Sequence, residues 1–111
     1  MEINTRKVGN VSIIELKGAL VLGDPVEEMQ TSTEQLISEG ATLIAVNLAS
    51  VTQMDSSGLG ILVRLHTLLK QSGGKLKLYS PPKRVSQVIR MARLDTIFDV
   101  AEDESAALSS F

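Results

Sequence analysis

The stretch Met54-Asp55-Ser56-Ser57-Gly58-Leu59-Gly60 marks the place where a strand hands over to a helix, and its reading decides the fold class. Before it, Leu43-Ile44-Ala45-Val46-Asn47-Leu48 is a short apolar run without alternation, the pattern of a strand covered on both faces. After it, Leu59, Leu62, Leu65 and Leu69 recur at helical spacing, and Ile61 and Leu68 widen the stripe. A hydroxyl at such a junction lies near free backbone N–H groups and the positive end of the helix dipole, where a phosphate is well tolerated. The pattern points to a phosphorylation switch ahead of an enzyme. The plain alternative is that the serines only cap the helix.

Working outward, Ile3–Val8 and Val11–Leu16 are strand-like runs separated by Gly9-Asn10, a two-residue hairpin signal. Gly18 to Gly23 breaks the pattern, and a helix is expected from Asp24-Pro25, with Asp24 as its cap and Pro25 in its first turn. Val26, Met29, Thr33, Leu36 and Ile37 supply its buried face, and Gly40 ends it. Ala49 to Gln53 is expected to be a loop leading to the serines. Beyond the central helix, Gly73-Gly74 is a stop, and Lys75-Leu76-Lys77-Leu78-Tyr79 alternates as a half-exposed strand does. Pro81-Pro82 precedes a helix whose apolar face is Val85, Val88, Ile89 and Ala92. Ile97-Phe98-Asp99-Val100 is expected as a short edge strand, and Glu102 to Leu108 as a final acidic helix. The alternation predicts a single α/β domain over 1–111: a mixed sheet of about four to five strands opened by a hairpin, with about four to five helices.

Composition narrows the function classes. Aromatic residues are 3% of the chain while hydrophobic residues are 43%, so the core must be aliphatic. A net charge of -2 offers no electrostatic case for direct nucleic-acid binding. Without cysteine there is no thiol catalysis, disulfide or thiolate metal site. No apolar run approaches the roughly 20 residues needed to span a bilayer, so no membrane insertion is expected. The polar start, Met1 to Lys7, lacks the apolar segment of a signal peptide, and the cytoplasm is the default expectation.

The serines fit catalysis poorly. Serine attack needs a base within hydrogen-bond reach. His66 is the single histidine and lies ten residues beyond Ser56 on the same expected helix, about 15 Å along its axis. The sequence also lacks the nucleophile elbow of the hydrolases. Gly58-Leu59-Gly60 continues into Ile61-Leu62 without the lysine of a phosphate-binding loop. Gly58 and Gly60 each cost a helix up to about 1 kcal/mol relative to alanine. Two readings of them stand: bare backbone that lets another surface approach the serines, or close packing of helix on sheet. Lys83, Arg84, Arg90 and Arg93 give the penultimate helix a basic side, read as a solvated face or as a surface for an acidic partner.

Val46-Asn47-Leu48, the Asp55-Ser56-Ser57-Gly58-Leu59-Gly60 core and Gly73-Gly74-Lys75-Leu76 together resemble the STAS domain family, typified by bacterial anti-sigma factor antagonists. The resemblance runs over nearly the whole chain. It implies a binding module, not a catalyst, needing no cofactor or metal. By it, Ser56 is the residue phosphorylated by a partner anti-sigma factor kinase, and a phosphatase resets it. Asp55, Ser57, Gly58, Leu59, Gly60 and Asp24 become candidate partner-binding positions around that site. The unphosphorylated form would bind the anti-sigma factor and free the sigma factor. Many antagonists carry Gly-Glu-Leu-Asp at the end of the second strand, where this chain has Gly18-Ala19-Leu20-Val21. The departure hints at a divergent branch with another partner. Two other readings are a non-switching STAS adaptor subunit of a lipid- or solute-transport assembly and a nucleotide-binding sensor.

Overall fold

The computed structural model describes all residues 1–111. Its sheet has five strands in the order β1-β2-β3-β4-β5. Strands β1 (Glu2–Val8) and β2 (Val11–Leu20) pair antiparallel across the Gly9-Asn10 turn, with Val8 opposite Val11. Strands β3 (Leu43–Met54), β4 (Lys75–Tyr79) and β5 (Asp99–Ala101) then add parallel to β2 in succession. The helices are α1 (Asp24–Ser38), α2 (Ser56–Gln71), α3 (Lys83–Met91) and α4 (Glu104–Ser109), and a 3-10 turn covers Leu94–Thr96. The α/β class, mixed sheet and opening hairpin agree with the sequence reading.

Strand periodicity divides the core into two layers. Ile14 and Leu16 of β2, Ile44, Val46 and Leu48 of β3, and Leu76 and Leu78 of β4 face one side. There they pack with Met29 of α1, the leucine stripe of α2, and Val85 and Ile89 of α3. On the other side Val11, Ile13, Ala45 and Tyr79 meet Ala107 of α4. Both faces of β3 are thus covered, as its unbroken apolar run demanded.

Several boundaries differ from the sequence reading, each for a tertiary reason. The expected break at Gly18 is absent: β2 runs on to Leu20. The expected loop Ala49–Gln53 is strand, because Lys17, Gly18, Ala19 and Leu20 pair with Ser50, Val51, Gln53 and Met54 across two register shifts. Asp24 is not the cap of α1; it is the first helical residue, and Gly23, with φ 107°, occupies the cap position without a side-chain hydrogen bond. The alternation in β4 does not mark a half-exposed strand, since Leu76 to Tyr79 are all buried. Lys77 lays its stem on the α4 side, its ammonium 3.4 Å from Asp99 and 5.5 Å from the Phe111 ring centre. The edge strand begins at Asp99, two residues later than Ile97, because Leu94–Thr96 forms the 3-10 turn. Glu102 and Asp103 precede α4, and Asp103 caps it by accepting the Ala106 N–H at 2.8 Å. Ala92, expected on the buried face of α3, is exposed just past its end.

Candidate functional site

The extended β2–β3 pairing sets Leu20 directly beside Met54, so both chains leave the sheet at one point. The Asp55 N–H donates to the Leu20 carbonyl at 3.4 Å. Asp55, with extended backbone, is the cap of α2: its Oδ1 accepts the Gly58 N–H at 2.9 Å. Its Oδ2 accepts the Leu22 N–H at 3.0 Å. One carboxylate therefore ties the β2–α1 turn to the start of α2. The donated N–H groups of Leu22 and Gly58, in that order, hold its pKa below the ordinary aspartate value. The serines are not the caps. They are the first two helical residues, and the capping oxygen comes from the residue before them.

Ser56 is exposed and Ser57 half-buried. Neither hydroxyl makes a hydrogen bond within the chain, and the Ser56 N–H has no partner either. The Ser56 hydroxyl is thus exposed and unengaged at the positive end of a 16-residue helix. It makes no hydrogen bond to a base, and both oxygens of neighbouring Asp55 are engaged by backbone N–H groups. His66 lies farther along α2, half-buried against Phe98 in an edge-on contact with centroids 6.0 Å apart.

The two glycines have different reasons. A Cβ on Gly58 would lie 2.2 Å from the Leu20 carbonyl oxygen, so Gly58 permits α2 to press against β2. A Cβ on Gly60 would meet nothing within 4 Å, and the residue is exposed. Leu59, between them, is buried in the core. Of the positions assembled from the sequence, Asp55 to Gly60 thus form one continuous site, with Leu59 contributing from beneath. Asp24 stands apart. It opens α1 and lines a groove with Ile3, Glu27, Glu28, Thr31 and Ser32, and has no hydrogen bond or ion pair to residues 55–60.

The sequence reading missed Leu22. It is 75% exposed, an unusual state for a leucine, and its backbone is held to Asp55 beside Ser56. The signal was present in Gly18-Ala19-Leu20-Val21-Leu22, where apolar residues run on past the last buried strand position. No helix of the chain is long and apolar enough to cross a membrane.

Comparison with known proteins agrees with this architecture. The anti-sigma-B factor antagonist of Bacillus subtilis is 35% identical over 66 residues, 60% of this chain and 60% of that protein. A Thermotoga maritima relative is 29% identical over 75 residues, a stretch spanning 66% of its own length and 68% of this chain. Among solved structures, the Bacillus cell fate determinant SpoIIAA in its phosphorylated form superposes with a TM-score of 0.77 at 24% identity, covering 97% of each chain. An anti-sigma factor antagonist from Mycobacterium paratuberculosis reaches 0.86 at 15% identity, covering 98% of this chain and 92% of the other. These structural likenesses concern the fold. The STAS domain model matches residues 2–107, nearly end to end, and with the strand-to-helix serine junction in place the chain belongs to the STAS domain family.

Proposed function

We propose that the chain is an anti-sigma factor antagonist, a binding module released from its partner when Ser56 is phosphorylated. The observation that carries this reading is the exposed Ser56 hydroxyl in the first turn of α2, hydrogen-bonded to no base. A kinase substrate needs an accessible hydroxyl and no base of its own, because the kinase supplies one. The names of the Bacillus subtilis and Staphylococcus epidermidis relatives point the same way.

Phosphorylation adds about -1.5 to -2 charges at pH 7. In the free domain that charge meets the helix dipole and the unpartnered Ser56 N–H, so the domain accommodates it. In a docked complex the same charge must be desolvated against the partner, and release follows without refolding. Around Ser56, exposed Leu22 and bare Gly60 form the surface a partner would meet. Where many relatives offer an acidic run, this chain offers Ala19 and Val21, and exposed Leu22 follows, so its partner would present an apolar patch to that turn.

The test is calorimetric titration of candidate anti-sigma factor kinases from the same organism with wild type, Ser56→Ala and Ser56→Asp. Binding by wild type and Ser56→Ala, with strong weakening by Ser56→Asp, is expected. Incubation with kinase and ATP should place phosphate on Ser56 by mass spectrometry. Equal affinity of all three proteins, or phosphate found at Ser57 alone, refutes the assignment.

A further inference from the structure

The outward stripes of two helices carry opposite and unmixed charge. Helix α1 contains Asp24, Glu27, Glu28 and Glu34 and no lysine or arginine. Helix α3 contains Lys83, Arg84 and Arg90 and no acidic residue, and Arg93 follows it. The ion pairs of the chain join Arg6 to Glu15 and Glu104, Arg64 to Glu34, and Lys77 to Asp99. Asp24, Glu27 and Glu28 on α1 and all four cations at α3 are therefore unpaired and exposed.

The helix dipoles favour Asp24 and Glu27 in the first turn of α1 and Arg90 in the last turn of α3, but they do not account for Lys83 and Arg84 at the start of α3. A helix favours acidic residues in its first turn and basic ones in its last. Helix α3 has no acidic residue and no side-chain cap in its first turn, yet opens on Lys83 and Arg84. Helix α1 has no basic residue in its last turn, and Glu39 follows at its C-cap. Each helix keeps charges of one sign even at the end where its dipole disfavours them.

The two stripes do not meet within one chain. Helix α1 packs on β1, β2 and α2, whereas α3 packs on β3 and the 3-10 turn. Beside α3, Arg90 shares a groove of about 280 Å³ with Asp95 of the 3-10 turn and Val100 of β5, toward the opposite edge of the sheet; Arg90 and Asp95 make no ion pair within 4.0 Å. The acidic groove of Asp24, Glu27 and Glu28 lies against Ile3 of β1. Met91, which ends α3 directly after Arg90, is 84% exposed and adds an apolar side chain to that end of the basic face.

We propose that the α3 face, Lys83, Arg84, Arg90 and Met91, docks on the α1 face, Asp24, Glu27 and Glu28, of a second copy of this chain. The contact joins two different surfaces and is heterologous. Exposed ion pairs contribute little singly, so the association is weak and depends on several acting together.

Sedimentation velocity over a concentration series tests it. In about 50 mM salt the wild type should shift from monomer to larger species as concentration rises, and about 500 mM salt should weaken this tenfold or more. Reversing α3 (Arg84→Glu with Arg90→Glu) or α1 (Glu27→Lys with Glu28→Lys) should each leave a monomer. The four substitutions together keep the net charge at -2 and should restore association. Circular dichroism reports that each variant is folded. A wild type that stays monomeric at low salt, or association that survives either reversal, overturns the proposal. So does a folded fourfold variant that stays monomeric, or binding of the monomer to phosphatidylglycerol vesicles in place of self-association.

Discussion

The Asp55 carboxylate accepts the Leu22 N–H at 3.0 Å while capping α2 through Gly58 at 2.9 Å, and this one side chain holds two segments 33 residues apart in sequence. The acidic residue before the serines is thus a structural clasp, and Ser56 is presented on a rigid support. The clasp also explains how a leucine can stand 75% exposed in a defined position.

Asp55→Ala should lower stability at neutral pH, with a pH signature. The folded-state pKa is depressed below 3.8, so the unfolded chain binds the proton more readily. The contribution is complete above the unfolded value and is lost as pH falls through the folded one. Urea denaturation of both proteins should show a gap at pH 7 that closes at strongly acidic pH. A gap of constant size would mean that the carboxylate's charge is irrelevant.

The two glycines should respond in opposite directions to alanine. At Gly58 the new methyl would collide with the Leu20 carbonyl at 2.2 Å, a backbone atom that cannot step aside cheaply. A loss of about 1–3 kcal/mol is expected, as for other overpacked sites. At Gly60 there is open space, and alanine should stabilise the helix by up to about 1 kcal/mol. Thermal denaturation of the pair checks both signs. If the docking reading holds, Gly60→Ala should also weaken partner binding.

Leu22 and Leu62 offer the same side chain at 75% and 0% exposure. Leu62→Ala empties part of the core and should cost about 2–5 kcal/mol. Leu22→Ala should change stability by no more than about 0.5 kcal/mol. Its expected effect is on docking, a loss of about tenfold if it anchors the partner. Chemical denaturation and calorimetry separate the two outcomes.

Tyr79 should make the fold alkali-sensitive. Burial, and then its hydrogen bond to Glu104 at 3.1 Å, push its phenol up to about 12 from an ordinary 10.0. The raised pKa favours the protonated form in the folded state, so its contribution is complete below pH 10 and lost as pH rises through about 12. It is the only tyrosine, so tyrosinate absorbance reads it alone. Tyr79→Phe should flatten the fall in stability over that interval.

The strand-to-helix junction, the hairpin, the buried β3 and the leucine stripe of α2 were legible because each rests on local periodicity or turn chemistry. The second half of β3 was not. Ala49, Ser50, Thr52 and Gln53 are exposed and carry no apolar pattern, and they are strand because β2 offers them a ladder. Buried Lys77 misled for a related reason: charge suggested solvent, but a lysine stem can lie on a sheet while its ammonium reaches Asp99.

By itself the sequence determined the α/β class, the family and the position of Ser56 at the head of a helix, since these follow from residue order over short windows. The choice between readings of the glycines, the capping role of Asp55 and the place of Leu22 belonged to the tertiary structure. Each depends on what stands across from it: the Leu20 carbonyl beside Gly58, nothing beside Gly60, and the Leu22 N–H facing Asp55. Such contacts are set by the register of β2 on β3, and two shifts in that register are what bring the turn and the helix together.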